Sequence, residues 1–378
     1  MPPVSDAPYW LALLSAGPLK RQVAKQVIRR WCVEGDRTLA SLFEEDAQDL
    51  RSYLALSAQQ MAGLLSAREQ VAQQVALLAE WSRQGVGLVT RCDAAYPESW
   101  VGRLPEERLP YCLFNRGALE LLAEPAFALL GGVQASPEAL DVAGQLGRMF
   151  ALEGQHLLGG YDRGIGRVSL DAALAAGGRV TLLLPSGLAQ LSPIPQALDK
   201  ALRNGQALLL SPYLPDVPGS EALAEARLPL ICALSEGLLL IAPDRTPNEW
   251  AYGAEGLPAD RRTWFWSGAD ALCTRAWLEA GARPFRDVAE IRTQMLELLG
   301  VVTEDGPSPG GKADDSEPAS IPRDQAPQNE CQIPYPDTDE LSSFTDAESA
   351  INALGRQGTV PEVLARRLRE THSGGMRQ

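Results

Sequence analysis

Arg163 and Arg167 stand four residues apart, just beyond the doublet Gly159-Gly160 and on either side of Gly164. At that spacing both guanidinium groups share one face of a helix. Glycines that end a strand let backbone N–H groups approach an anion, and the N-terminus of the following helix adds positive potential. The chemistry this points to is phosphate binding. A second doublet, Gly131-Gly132, leads to Ser136, a residue type whose hydroxyl caps helices. The same glycines also permit tight packing of strand on helix, with the arginines simply solvated, and both readings stay open at this point. Lys200 and Arg203 on the next helix either extend this patch or are ordinary surface charge, the latter being the expectation.

Other chemistries find less support. No G-x-G-x-x-G sits between the first strand and its helix, and no P-loop lysine follows a glycine run, so hydride transfer and ATP hydrolysis are poor readings. No Ser/His/Asp set, carboxylate pair or H-E-x-x-H is placed for catalysis, and the chain reads as a protein that is not an enzyme and needs no cofactor. His156 lies inside an apolar run and is expected as a hydrogen-bonded core residue. The six cysteines are scattered without a C-x-x-C pair, which speaks against a disulfide framework or zinc site and fits a reducing cytoplasm. Two histidines are too few for a metal cluster, so no metal is expected. No charged start with an apolar core opens the chain, and no window of eighteen apolar residues occurs, so neither a signal peptide nor a membrane partner is expected.

The glycine turns are positioned by an alternating pattern. Six short apolar runs recur at Ala126–Leu130, His156–Leu158, Val180–Leu184, Ala207–Leu210, Leu238–Ala242 and Trp264–Trp266. Uninterrupted apolar runs bounded by Gly and Pro suit strands buried on both faces. Between them Pro137–Leu152, Arg163–Ala176, Pro195–Arg203, Glu221–Leu234, Asn248–Glu255 and Asp270–Ala280 carry helix-spaced apolar residues. That alternation predicts an α/β fold, a Rossmann-like parallel sheet with helices on both faces. Ligands of such sheets bind at the carboxyl ends of the strands, where the glycines stand. Trp264 and Trp266 alternate on a strand and are expected in the core, while Trp250 and Tyr252 fall in a loop where rings could stack on bases.

Residues 1–84 read as a helical domain with segments at Tyr9–Ser15, Leu19–Cys32, Leu39–Phe43, Ala47–Leu54, Ala58–Leu65 and Glu69–Gln84. Short helices joined by a Gly turn resemble the sterile-alpha-motif or helix-hairpin-helix type of small domain. Its second helix carries Lys20, Arg21, Lys25, Arg29 and Arg30, either a phosphate-contacting face or a solvated one. The core is expected over residues 85–300, opening with strands at Gly87–Thr90 and Leu109–Phe114 around a turn at Asp93–Pro97. Net charge is −14, and ten acidic against two basic residues lie between Thr303 and Glu340. Residues 301–340 therefore read as an acidic disordered linker whose charge would mask a basic site. Thr345–Leu354 and Val360–Thr371 make a short helical segment over residues 341–378, with Arg366, Arg367 and Arg369 in its second half.

Taken in order, these signals resemble the DprA/Smf family (DNA-processing protein A). The family's Leu-Phe-x-Arg-Gly strand end is Leu113-Phe114-Asn115-Arg116-Gly117, and its first core turn is similar to Leu130-Gly131-Gly132-Val133-Gln134-Ala135-Ser136. Its second turn, Ser-Gly-x-Ala-x-Gly-Ile-Asp, is matched by Gly159-Gly160-Tyr161-Asp162-Arg163-Gly164-Ile165-Gly166. Gly177-Gly178-Arg179-Val180-Thr181, Gly187-Leu188, Leu210-Ser211-Pro212-Tyr213-Leu214-Pro215 and Ala280-Gly281-Ala282 continue the series, which covers residues 8–290. The family's arginine after the first strand is Val133 here, its aspartate and histidine after the second turn are Gly166 and Leu170, and of its Arg-Asn-Arg cluster Arg227 is the basic residue present. The resemblance implies a single-stranded DNA-binding protein of DNA processing, natural transformation or recombination. It would protect incoming DNA and assist loading of a RecA-type recombinase, as a homodimer. Gly131, Gly132, Ser136, Gly159, Gly160, Arg163, Gly164, Arg167 and Arg227 would hold phosphates, and residues 341–378 would be a winged-helix remnant. The alternative is a divergent Rossmann-like sensor of a nucleotide-derived ligand, or an interaction scaffold, that has lost DNA binding.

Overall fold

Nine strands form one sheet: β1 Gly87–Thr90, β2 Cys112–Gly117, β3 Ala126–Gly131, β4 His156–Gly159, β5 Arg179–Leu183, β6 Ala207–Ser211, β7 Gly237–Ile241, β8 Arg262–Trp266 and β9 Arg283–Phe285. The computed structural model describes residues 6–15, 19, 21–243, 262–268 and 271–298. The expectations for Asn248–Glu255, Trp250, Tyr252, the acidic stretch and the C-terminal segment lie outside the described residues. Strand order is β1-β2-β6-β5-β4-β3-β7-β8-β9. From β6 to β9 all neighbours run parallel, whereas β1–β2 and β2–β6 pair antiparallel. The fold is α/β and Rossmann-like, as the alternation predicts, with an antiparallel pair added at one edge.

The central strands are mostly apolar because both faces are covered, with His156, Thr181 and Ser211 as buried polar residues. Every residue of β6 and β7 is buried. Trp264 and Trp266 of β8 are interior, as their alternation implies. His156 is 2% exposed, and its Nε2 lies 2.9 Å from Thr181 Oγ1 on the neighbouring strand. Burial lowers its pKa to about 4, with the nearby Arg179 charge acting in the same direction.

The N-terminal helices are α1 Ala7–Ser15, α2 Arg21–Ile28, α3 Leu39–Glu44, α4 Ala47–Leu54 and α5 Ala58–Arg83. The α2 helix runs on into a π-helical turn, Arg29–Val33. Two expected helices, Ala58–Leu65 and Glu69–Gln84, are a single one. Its start is fixed by a capping box in which Ser57 Oγ accepts from Gln60 N and Gln60 Oε1 accepts from Ser57 N. Nothing between Leu65 and Glu69 stops a helix, and Arg68 donates from mid-helix to Leu42 O and Glu45 O. The helices meet the sheet along a seam where Trp10 packs on Tyr111 and Trp81 on Phe114.

In the core, α6 Glu98–Arg103 precedes β2 and was not foreseen in a polar, Pro-rich stretch. Trp100 anchors it by donating from Nε1 to Leu230 O at 2.9 Å. Then follow α7 Pro137–Leu152, α8 Ile165–Ala175, α9 Gln196–Arg203, α10 Glu221–Ala226 and α11 Leu228–Leu234. The last two were expected as one helix. Pro229 lacks an N–H and occupies the first turn of α11, so the helix breaks at Arg227.

Helices α7 and α8 lie so close that a Cβ on Gly147 would overlap Ser169 O and come within 2.8 Å of its carbonyl carbon. That neighbour is backbone and has little room to yield. Gly147→Ala is expected to destabilise the core by about 3 kcal/mol, measured by urea denaturation. An unchanged midpoint would mean that the two helices can separate at no cost.

Candidate phosphate-binding turns

The two glycine turns lean on each other. Gly132 N donates to Ala242 O at 3.1 Å, and Ile165 N at the start of α8 donates to Gly132 O at 3.4 Å. Gly164 caps α8 with φ +77°, and a Cβ there would sit 2.6 Å from Gly132 O. A Cβ on Gly131 would lie 2.9 Å from Ile165 Cβ and overlap Ile241 O. On Gly159 it would come within 3.0 Å of Leu170 Cδ1. On Gly160 it would overlap the Arg227 guanidinium. Gly131 and Gly164 are held to glycine by neighbouring backbone and Gly160 by the Arg227 guanidinium, while Gly159 meets only the end of a leucine side chain. Ser136 caps α7 as expected, its Oγ accepting from Ala139 N at 3.2 Å.

The three arginines of the expected site end up in three different states. Arg163 is exposed, and among the described residues its side chain has no partner. Arg167 lies over the Tyr161 ring at 4.4 Å, and its Nε donates to Asp171 Oδ2 at 3.1 Å. Tyr161 takes a left-handed φ of +59° and donates its hydroxyl to Asp171 Oδ1 at 2.8 Å. Burial, with Asp171 beside it, raises the Tyr161 pKa, so it stays a donor.

Arg227, expected to contact phosphate, is instead 1% exposed. Its Nη1 donates to Leu183 O at 3.1 Å and to Gly160 O at 3.4 Å, and its Nη2 pairs with Asp162. It is an internal tie between the end of β5 and the turn after β4, aimed there by the helix break at Pro229. Asp162 stands where the family resemblance has an alanine, four residues before Gly166 in the first turn of α8. Among the described residues three arginines thus stand with two aspartates around the turns, an excess of one positive charge.

Two other departures from the family pattern are now placed. Val133 is 53% exposed, and Leu170 is buried against Gly159. Of the basic residues expected on the second helix, the side chains of Lys20 and Arg21 lie outside the described residues, and the other three have partners. Lys25 donates to Glu107 O and Leu109 O, Arg29 pairs with Glu34, and Arg30 donates to Leu54 O. On α9, Arg203 pairs with Asp199.

Residues 87–246 match the family model described as DNA recombination-mediator protein A. Among solved structures the chain is similar to DNA processing protein A from Streptococcus pneumoniae, at 19% identity and a TM-score of 0.57, over 77% of this chain and 98% of that one. DNA processing protein A from Helicobacter pylori, solved for its single-stranded DNA binding mode, matches at 20% identity and a TM-score of 0.45, over 56% and 96%. The molybdenum cofactor carrier protein of Chlamydomonas reinhardtii matches at 23% identity and a TM-score of 0.35, over 47% and 99%. No curated protein matches the sequence.

Proposed function

Through residues 87–246 the chain belongs to the DprA/Smf family, and on that premise we propose that it acts in DNA processing by binding single-stranded DNA across its glycine turns. The observation that carries this reading is Arg163, exposed and unpartnered among the described residues, in the turn after β4 and one residue before the Gly164 cap of α8. A cation there adds to the positive end of the helix and suits a phosphodiester rather than a neutral ligand. Arg167 is half committed to Asp171 and adds less. Arg227 holds the turn in shape from inside. The same reading makes the protein a homodimer that protects a strand and passes it to a RecA-type recombinase, without turnover. The helical residues 1–84, the core 85–300, the acidic stretch 301–340 and the segment 341–378 would then be its working parts.

The test is a fluorescence-anisotropy titration of the full chain with labelled oligothymidylate at two salt concentrations. Binding should weaken as salt rises. Arg163→Glu should weaken it by about tenfold and lower the salt slope by about 1, with a smaller effect from Arg167→Glu. If the intact chain binds no oligonucleotide at low salt, the DNA reading fails. The Asp162–Arg227 pair, which spends a basic residue internally, favours the second reading, a sensor of a nucleotide-derived ligand. Tight binding of a mononucleotide with little salt dependence would support it.

A further inference from the structure

The N–H groups of Arg227 are used unevenly. Nη1 donates to Leu183 O and Gly160 O, which fixes the guanidinium against the end of β5 and the residue after β4. On the other edge of a guanidinium, Nε–H and one Nη2–H run parallel and suit two oxygens of a single anion. Here Asp162 supplies one oxygen, Oδ2, to Nη2. Nε is buried and has no hydrogen-bond partner among the described residues. The edge that suits an oxyanion is therefore half filled, and the group filling it is a carboxylate.

Burial decides what can reach that edge. The Arg227 side chain is 1% exposed and that of Asp162 36%. Asp162 stands between the guanidinium and solvent, one residue before Arg163. A Cβ on Gly160 would overlap both Nη2 and Asp162 Oδ2, so this glycine is what lets the two meet. A buried guanidinium stripped of its carboxylate is an uncompensated charge, and another anion is the replacement that restores its partner. Phosphate carries the matching sign, has oxygens for both parallel N–H groups, and would enter along the path the carboxylate vacates.

We propose that Asp162 is a specificity-determining residue of the second turn: its carboxylate sits in a phosphate seat on Arg227 and closes it. Among the described residues the turn then meets a ligand with Arg163, and with Arg167 half committed, but not with Arg227. The role rests on the phosphate reading of these turns, yet the seat is defined by Arg227 and can be tested without DNA. A closed seat sets how much phosphate the turn accepts. One phosphate fits beside Arg163, whereas a ligand that places a second phosphate toward Arg227 meets a fixed negative charge.

The experiment uses the full chain and its Asp162→Ala, Asp162→Asn and Asp162→Ala/Arg227→Met variants. Urea midpoints are read across a series of sodium phosphate concentrations, with sodium chloride holding the ionic strength constant. The intact chain reports the general effect of phosphate on folding, and binding adds to it. Asp162→Ala should show a saturable rise in midpoint beyond that of the intact chain. Asp162→Asn keeps an oxygen on Nη2 and loses only the charge, so it should follow the intact chain, as should the double variant. With labelled oligothymidylate, Asp162→Ala should bind about tenfold tighter at low salt, with the salt slope raised by about 1. If Asp162→Ala unfolds in chloride, recovery of its fold in phosphate is the expected result, and failure in both overturns the seat. The proposal is overturned if Asp162→Ala gains no more from phosphate than the intact chain does. It is overturned equally if the gain survives Arg227→Met or appears in Asp162→Asn. A phosphate gain in Asp162→Ala with no oligonucleotide bound by any variant upholds the seat and overturns the DNA reading alone.

Discussion

Arg227→Ala is expected to cost about 3–5 kcal/mol of folding stability, the largest loss from any single charge deletion among the described residues. The guanidinium is buried and bonds two carbonyls and a carboxylate drawn from separate turns. Its removal leaves Leu183 O and Gly160 O without that donor and opens a void the size of the side chain. The measurement is the urea midpoint at constant slope. Arg227→Met fills the void without the charge and should recover roughly half of the loss. Asp162→Ala should cost less, about 1–2 kcal/mol, because its carboxylate is 36% exposed and water replaces part of the partner. A double-mutant cycle on the two positions should then show clear coupling. Independent effects would mean that the pair is hydrated and does not hold the β4–α8 turn.

His156 should make stability depend on pH. Its folded-state pKa is lowered to about 4, whereas in the unfolded chain it titrates near the ordinary value of 6.5. Between these values the unfolded chain binds the proton and the folded one does not, so stability rises with pH. The full contribution is present above the unfolded value and is lost as pH falls toward 4, about 3 kcal/mol in all. Below about 4 the folded state also takes the proton and the loss levels off. Carboxylates titrate in the same range, so the informative quantity is the difference between the intact protein and His156→Gln. That difference should widen as pH rises from 4 to 6.5 and stay constant above it. Parallel curves would show that the imidazole is already protonated or hydrated within the fold.

The sequence by itself was enough to determine the layered core. Strands covered on both faces are apolar at most positions, so β3 to β8 read as short runs, and α7 begins and ends where Pro137 and Leu152 indicate. Burial is a local demand repeated at each residue, and it leaves a local trace. The glycine turns were legible for the same reason, since a backbone that must approach another backbone admits no Cβ.

Only the tertiary structure decided what those turns are made of. Arg227 and Asp162 are 65 positions apart, and nothing near either residue announces the other. A basic residue at a family site position reads as a phosphate contact until the break at Pro229 turns it inward. Lys25 of α2 likewise finds carbonyls over eighty residues away. Apolar patterning is a property of each segment. Which polar groups satisfy each other depends on how the segments are assembled, because a buried or half-buried charge takes whichever partner the packing brings within reach. Arg163 is exposed and, among the described residues, without a partner at these turns.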